Sequence, residues 1–401
     1  MTFFLVLFLS MSAGDAACWW LSHRALGAAR SKAFWRTLNT CFFLFQVGVI
    51  ALVVFSRVQE RHLALLDSRW VLAPVYLWHL VCLPLCLVAL SIFGLARMVS
   101  FFACRPSGGR VAAGESGMDR RRFLALTAGA APVVLCAGTT ATGLAQLEQF
   151  RIRRMTLNVP RLPRQLDGLT IAPVTDLHVG RFTNGAVLAR IVKATNDLHA
   201  DLILQTGDLI NYDLRDLPQA IELVQRMRAA HGVFLCEGNH DLIENGPEFV
   251  ERVKRAGIRL LVNEEATLRI RGADLQVLGL RWGGALPSAE RVVRYRDAAI
   301  GSSMEELRRQ MPGDVFPILL AHHPHAFDYA DGIPLTLAGH THGGQLMLTD
   351  NFGCGPAMFR YWSGLYRREE RTLVVSNGVG NWLPLRTRAP AEIVHLTLRS
   401  A

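Results

Sequence analysis

Charge is what this 401-residue chain is short of: only 19% of its residues are Asp, Glu, Lys or Arg, against about 25% in an ordinary soluble domain. With 51% hydrophobic residues and a mean hydropathy of +0.23, that shortage excludes a disordered or fibrous chain and argues against a wholly soluble one. Acidic residues are scarcest in the first 150 positions, which hold 6 against 13 Lys/Arg, while residues 151–401 hold 27 against 30. The net charge of +10 therefore divides into +7 and +3, and the basic excess lies in the apolar part. A nucleic-acid footprint needs a basic patch on a folded domain, so nucleic acid is not the expected partner. Cysteine is also sparse. Cys18, Cys41, Cys82, Cys86, Cys104 and Cys136 lie in or beside the apolar part, leaving Cys236 and Cys354. No pair has zinc-finger spacing, which indicates neither a disulfide framework nor a thiolate metal site. Internal repeats and low-complexity tracts are lacking, so a repeat array is excluded.

What the chain does have is long apolar runs. Residues 1–22 (interrupted only by Asp15), 37–56, 70–96 and 123–147 are each long enough to cross a bilayer, which takes roughly 20 apolar residues. Residues 1–22 lack a basic leader, so they read as an anchor helix rather than a signal peptide, with a buried core helix as the alternative. The run 123–147 is the least apolar, rich in Ala, Thr and Gly with Pro132 inside. We expect a membrane region over 1–104 with about three helices, a basic linker over 105–122, and a fourth apolar segment over 123–147. Arg24, Arg30, Lys32 and Arg36, and then Arg97, Arg105, Arg110 and Arg120 to Arg122, mark two linkers as cytoplasmic. The chain after residue 147 then falls on the outer, periplasmic or extracellular, side of a plasma or inner membrane. Trp19, Trp20, Trp35, Trp70 and Trp78 fall near run ends, where an amphipathic ring sits well. Asp119-Arg-Arg-Arg-Phe-Leu124 resembles a twin-arginine export signal, although Asp119 replaces the usual Ser or Thr and the usual following Lys is absent. That resemblance implies a domain folded before export.

Residues 155–401 read as one folded domain. Strand-length apolar runs at 169–175, 201–206, 233–236, 316–321 and 335–338 each end in a polar, turn-like cluster, and helical patterns fill 186–198, 217–227 and 247–256 between several of them. A hairpin is expected over 266–280, and closing strands over 372–376 and 392–398. The fold class is therefore α/β, with a largely buried sheet and polar clusters gathered at the strand ends, where α/β folds bind ligands.

The clusters are built from metal-ligand residue types: Asp176, His178, Asp208, Asn239, His240, His322, His340 and His342. Carboxylate, imidazole and amide oxygen suit borderline-hard divalent ions such as Mn, Fe or Zn. So many ligands, seven even without His240, exceed one ion's needs and suit two ions about 3.5–4 Å apart sharing a carboxylate.

Asp176-x-His178, Gly207-Asp208, Gly238-Asn-His-Asp241, His322-x-Pro324 and Gly339-His-Thr-His342 stand in order, and in this they resemble the calcineurin-like metallophosphoesterases over roughly 165–398. Gly343-Gly-Gln345, Ser376 to Gly380, Pro384-Leu-Arg386 and Glu392-Ile393 look like the membrane-associated or exported bacterial branch. The resemblance implies a two-sheet sandwich flanked by helices, here preceded by the helical transmembrane region. It implies two divalent metal ions: Asp176, His178 and His342 on the first, Asn239, His322 and His340 on the second, and Asp208 bridging them. It also implies that His240 faces the phosphate and protonates the leaving oxygen, that Asp241 orients its ring, and that a metal-activated hydroxide attacks phosphorus.

The expected function is a membrane-anchored phosphoesterase acting on a phosphate ester, with a lipid or membrane-proximal substrate favoured by location. Alternatives are a non-catalytic metal-bearing membrane scaffold, which would not need His240, and a phosphodiesterase for soluble nucleotides or nucleic acid. Arg386 is a candidate phosphate contact, Asn211 a candidate neighbour of the ligands, and His323 and His325 read as structural. Gly207, Gly238 and Gly339 fit tight turns that bring ligands close.

Overall fold

A computed structural model describes residues 2–26, 32–59, 63–103, 120–282 and 289–400. Most of the expected basic linker, and Asp119 of the arginine motif, lie outside them. The chain divides into two compact units, Met1–Leu144 and Ala145–Ala401.

The first unit is helical: α1 (Thr2–Ala25), α2 (Lys32–Val58), α3 (Arg69–Leu77), α4 (Leu83–Ala103) and α5 (Arg120–Gln146), the last running two residues into the second unit. Three segments, Lys32–Ser56, Arg69–Ile92 and Ala125–Gln146, are long and apolar enough to span a membrane. Pro74 sits inside α3, where it removes one backbone donor. A π-helical turn over Trp78–Cys82 follows and joins α3 to α4. This turn presents two side chains to Asp15. Trp78 Nε1 donates to Asp15 Oδ1 at 2.6 Å, and His79 Nε2 lies 3.0 Å from Asp15 Oδ2. All three residues are buried.

The second unit carries two six-stranded sheets. The first runs β1 (Arg151–Val159), β14 (Glu392–Ser400), β2 (Thr170–Pro173), β3 (Leu202–Thr206), β4 (Val233–Cys236) and β5 (Arg259–Leu260). The second runs β12 (Gly364–Arg368), β13 (Arg371–Val375), β9 (Leu335–Ala338), β8 (Phe316–Leu320), β7 (Ala273–Gly279) and β6 (Glu264–Ile270). This is the expected two-sheet α/β architecture, with the 266–280 hairpin and both closing strands formed. The expected domain start at 155 falls inside β1, whose parallel pairing with β14 already begins at Arg151.

The inner core joins both sheets: Leu204, Phe234, Val277, Ile318, Leu337 and Val394 belong to one buried cluster. Burying each such side chain stabilises by about 1.5–3 kcal/mol. On the outer faces, α6 (Ala186–Asn196), α7 (Leu217–Gln225) and α8 (Gly246–Arg255) cover the first sheet through Val187, Ile191, Leu223, Phe249 and Val253. Phe249 and Val253, four residues apart, form the apolar stripe of α8, and the Asn245 side chain caps it by accepting from Glu248 N. The helix α9 (Ala289–Arg309) packs Ile300, Met304 and Leu307 with Leu278 and Leu319. Parallel pairings link β2, β3, β4 and β5 in one sheet and β7, β8, β9 and β13 in the other. The loops leaving β2, β3, β4, β8, β9 and β13 carry the polar clusters. A separate small hairpin, β10 (Met347–Thr349) with β11 (Phe352–Gly353), leads into the short helix α10 (Cys354–Met358).

Candidate metal centre

The loops after β2, β3, β4, β8 and β9 bring all seven expected ligands together. Two compact groups form, Asp176/His178/His342 and Asp208/His322/His340. In the first, His342 Nε2 lies 3.4 Å from Asp176 Oδ1 and 3.0 Å from His178 Nε2. In the second, His322 Nε2 is 3.1 Å from Asp208 Oδ2, 3.1 Å from Asn239 Oδ1 and 3.2 Å from His340 Nδ1. Asp208 links the two, because its Oδ2 also lies 3.4 Å from His178 Nε2. A third grouping, His178/Asp208/His240, is equally compact.

The loops hold these residues at a conformational cost. Asp176, His178, Asp208, His340 and His342 all have positive φ, between 43° and 72°, a region that non-glycine residues avoid and that concentrates at functional sites. Two glycines make room for them. Gly207 has φ 94°, and a Cβ there would stand 2.6 Å from His322 Nδ1. Gly378 has φ 70°, and a Cβ there would stand 2.5 Å from Asp176 Cβ.

The charges are arranged as a cation site requires. Asp176 and Asp208 are both buried. Burial pushes Asp176 up to about 6, with His322 opposing and Asp208 adding to the rise. Burial also works against Asp208, yet His322, His240 and His178 outweigh it and hold that carboxyl well below the usual range. His322 is raised to about 9 despite its burial, because Asp208 faces it in both charge and hydrogen bond. His178 and His342 are held well below the usual imidazole range, burial first, so both rings stay neutral near neutral pH. His178 Nδ1 is buried without a hydrogen-bond partner. Buried oxygen and nitrogen donors turned on one another fit divalent ions.

One sequence expectation is corrected. Asp241 does not orient the His240 ring. Its Oδ1 accepts from Leu209 N at 2.8 Å and Ile210 N at 3.0 Å, and its Oδ2 accepts from Gly238 N at 2.9 Å. It braces the β3 and β4 loops against each other, and burial pushes it up to about 8. The His240 ring is held instead by the carbonyl of Asn211, which faces Nδ1. A carbonyl only accepts, so Nδ1 donates and Nε2 is left to face the site. Arg386, a candidate phosphate contact, is buried and turned inward. It donates to His342 Nδ1 at 2.8 Å, Asn381 Oδ1 at 2.9 Å, and the carbonyls of Asn377 at 2.7 Å and Gly380 at 2.5 Å. Burial lowers its pKa to about 10, so it stays cationic at neutral pH. His323 accepts from His325 N at 3.1 Å.

Sequence reading missed the aromatic surround. Trp282 lies with its ring centroid 5.3 Å from His322 and 5.0 Å from His340, Phe359 lies 5.8 Å from His340, and Trp382 lies 6.3 Å from His240. Buried Glu237 fixes the first of these by accepting from Trp282 N at 3.0 Å. Lone aromatic residues in loops give no periodic signal, so only their placement reveals them.

The calcineurin-like phosphoesterase family matches residues 169–344. A "Transmembrane protein with metallophosphoesterase domain" from Danio rerio is 30% identical over 294 residues, covering 71% of this chain and 64% of that protein. An "Uncharacterized metallophosphoesterase" from Campylobacter jejuni is 29% identical over 265 residues, covering 63% of this chain and 64% of its own length. This chain thus spans a little under two thirds of both relatives. The "Uncharacterized metallophosphoesterase YkuE" from Bacillus subtilis is 30% identical over 301 residues, covering 71% of this chain and 98% of that protein. With buried His/Asp clusters suited to divalent metal and three helices of membrane-spanning length, the chain belongs to the calcineurin-like phosphoesterase family of phosphoric ester hydrolases.

Proposed function

We propose that this protein is a membrane-anchored phosphoesterase that hydrolyses phosphate esters at a dinuclear centre, with a lipid or membrane-proximal substrate. The observation that carries the reading is Asp208 standing between two ligand groups, 3.4 Å from His178 and 3.1 Å from His322. In this reading Asp176, His178 and His342 hold one ion, Asn239, His322 and His340 the other, and Asp208 bridges. Manganese, iron or zinc suits these donors. When bound, the ions supply Lewis acidity that makes a water nucleophilic near neutral pH and offsets charge on the phosphoryl oxygens.

The rest is done by the chain. His240, its Nδ1 committed to Asn211, presents Nε2 to the departing oxygen and gives it a proton when the ester bond breaks. Asp241 fixes the turn that carries it. Trp282 and Phe359 line one side of the ligands and exclude water there. The helical region over 1–104, the linker 105–122 and the segment 123–147 serve as the anchor in this reading, and the linker charge favours the domain on the outer face of the plasma membrane.

The test is the full-length protein in lipid nanodiscs, loaded with each metal in turn. It should release phosphate from an aryl phosphomonoester or diester, and from a lipid phosphate. Full metal loading without hydrolysis of any of these would reject the reading in favour of a metal-bearing scaffold.

A further inference from the structure

We propose that the β10–β11 hairpin and α10 form a docking surface for the lipid bilayer beside the metal centre. The inference rests on the reading of a membrane-anchored phosphoesterase and adds the surface that would meet the bilayer. Among the described residues of the second unit, five large apolar side chains are exposed: Ile243, Leu348, Phe352, Met358 and Leu365. Three of them fall within 348–358, at 71%, 65% and 68% exposure. Clustered exposed apolar side chains on a folded domain mark an interaction surface.

The hairpin is a two-stranded sheet of its own, apart from both six-stranded sheets, so its apolar residues are not the margin of a core. The charge in its turn is paired, Arg388 donating to Asp350 Oδ1 at 2.9 Å. Arg360, which follows α10, is paired with Asp328 at 3.5 Å.

The patch is joined rigidly to the ligands. Cys354 N donates to Leu346 O at 2.9 Å. Gly344, two residues after His342, approaches Gly355 so closely that a Cβ on it would stand 2.5 Å from Gly355 Cα. Phe359, next after α10, lies 5.8 Å from the His340 ring. Contact at the tip would therefore be felt within one short element of the metal ligands. The occupant is a bilayer because of the tether: the apolar helix α5 ends at Gln146 and β1 starts at Arg151. Four residues cannot take this unit far from a membrane that α5 crosses.

The test uses the full-length protein in vesicles of phosphatidylcholine and phosphatidylglycerol carrying spin-labelled acyl chains. A small fluorescent amino acid placed at Phe352 should be quenched by those chains, and the same residue placed at exposed Glu251 on α8 should not. The combined Leu348→Asp, Phe352→Asp and Met358→Asp variant should lower turnover of vesicle phosphatidate relative to p-nitrophenyl phosphate by at least about tenfold. Equal fluorescence at 352 with labelled and unlabelled lipid overturns the docking surface even if both esters are hydrolysed, and cross-linking of 352 to a second copy would make it a contact between copies instead. Quenching at 352 without hydrolysis of either ester leaves the docking surface standing and rejects the phosphoesterase reading.

Discussion

Arg386 and His342 are joined by a buried hydrogen bond, Nη2 donating to Nδ1 at 2.8 Å. The cation keeps that ring nitrogen from taking a proton, and the guanidinium's other bonds fix its plane. His342 thereby has both its orientation and its neutrality set by a residue 44 positions later. Partners that orient a metal-binding histidine typically govern metal affinity by about 10–100-fold.

Arg386→Gln is expected to weaken metal binding by about tenfold or more, and Arg386→Lys not to restore it, because a single ammonium cannot reach the ring and the surrounding carbonyls at once. Competition with a graded chelator reads the affinity directly. Unchanged affinity in both variants would show that Arg386 only packs the loop.

His240→Ala should lower turnover by about 10²–10⁴-fold while elemental analysis still finds the metal content of the parent protein. The geometry makes this a real choice, since His240 also falls in a compact group with His178 and Asp208. Loss of metal from the variant would make His240 a ligand rather than an acid.

Gly378→Ala is expected to remove metal binding without unfolding the domain. The added methyl group would meet Asp176 at 2.5 Å, at a φ of 70° that alanine avoids. Metal content and circular dichroism together check it: an alanine variant with full metal content would mean that the loop can give way.

Metal binding should weaken with acid. Burial holds Asp176 at about 6, above its ordinary 3.8. Between those values the metal-free fold keeps a proton that the unfolded chain has lost, so its stability falls as pH rises through them. Cation binding needs the ionised carboxylate and an unprotonated His322, itself raised to about 9, and runs the opposite way, so affinity falls as pH falls across this whole range. Thermal melts at about pH 5 and about pH 7.5, with metal and with chelator, should show the larger metal-induced shift at the higher pH.

Asp15 is the acceptor for both Trp78 and His79 inside the helical unit. Asp15→Ala should destabilise that unit by about 1–3 kcal/mol, the usual penalty for leaving a buried donor unsatisfied. Asp15→Asn keeps an acceptor for Trp78 and should lose clearly less. Melting of both variants in nanodiscs compares them.

The sequence by itself determined the apolar first part, the α/β alternation and all seven candidate ligands. Each of these is a local signal: an uncharged run, a period of apolar residues, or a ligand-type cluster at the end of a strand. Nothing in one strand's sequence states which strand lies beside it. Only the tertiary structure put β14 between β1 and β2, which brings the 376–386 loop behind Asp176 and His342. That pairing turned Arg386 onto a histidine, and the parallel pairing of β3 with β4 put Asn211, not the adjacent Asp241, against the His240 ring. The tertiary structure also decided that Trp282 and Phe359 face the ligands while Leu348, Phe352 and Met358 face outward. The physical reason is the same in each case: a side chain's type is written locally, whereas its partner is set by loop closure between residues far apart in the chain.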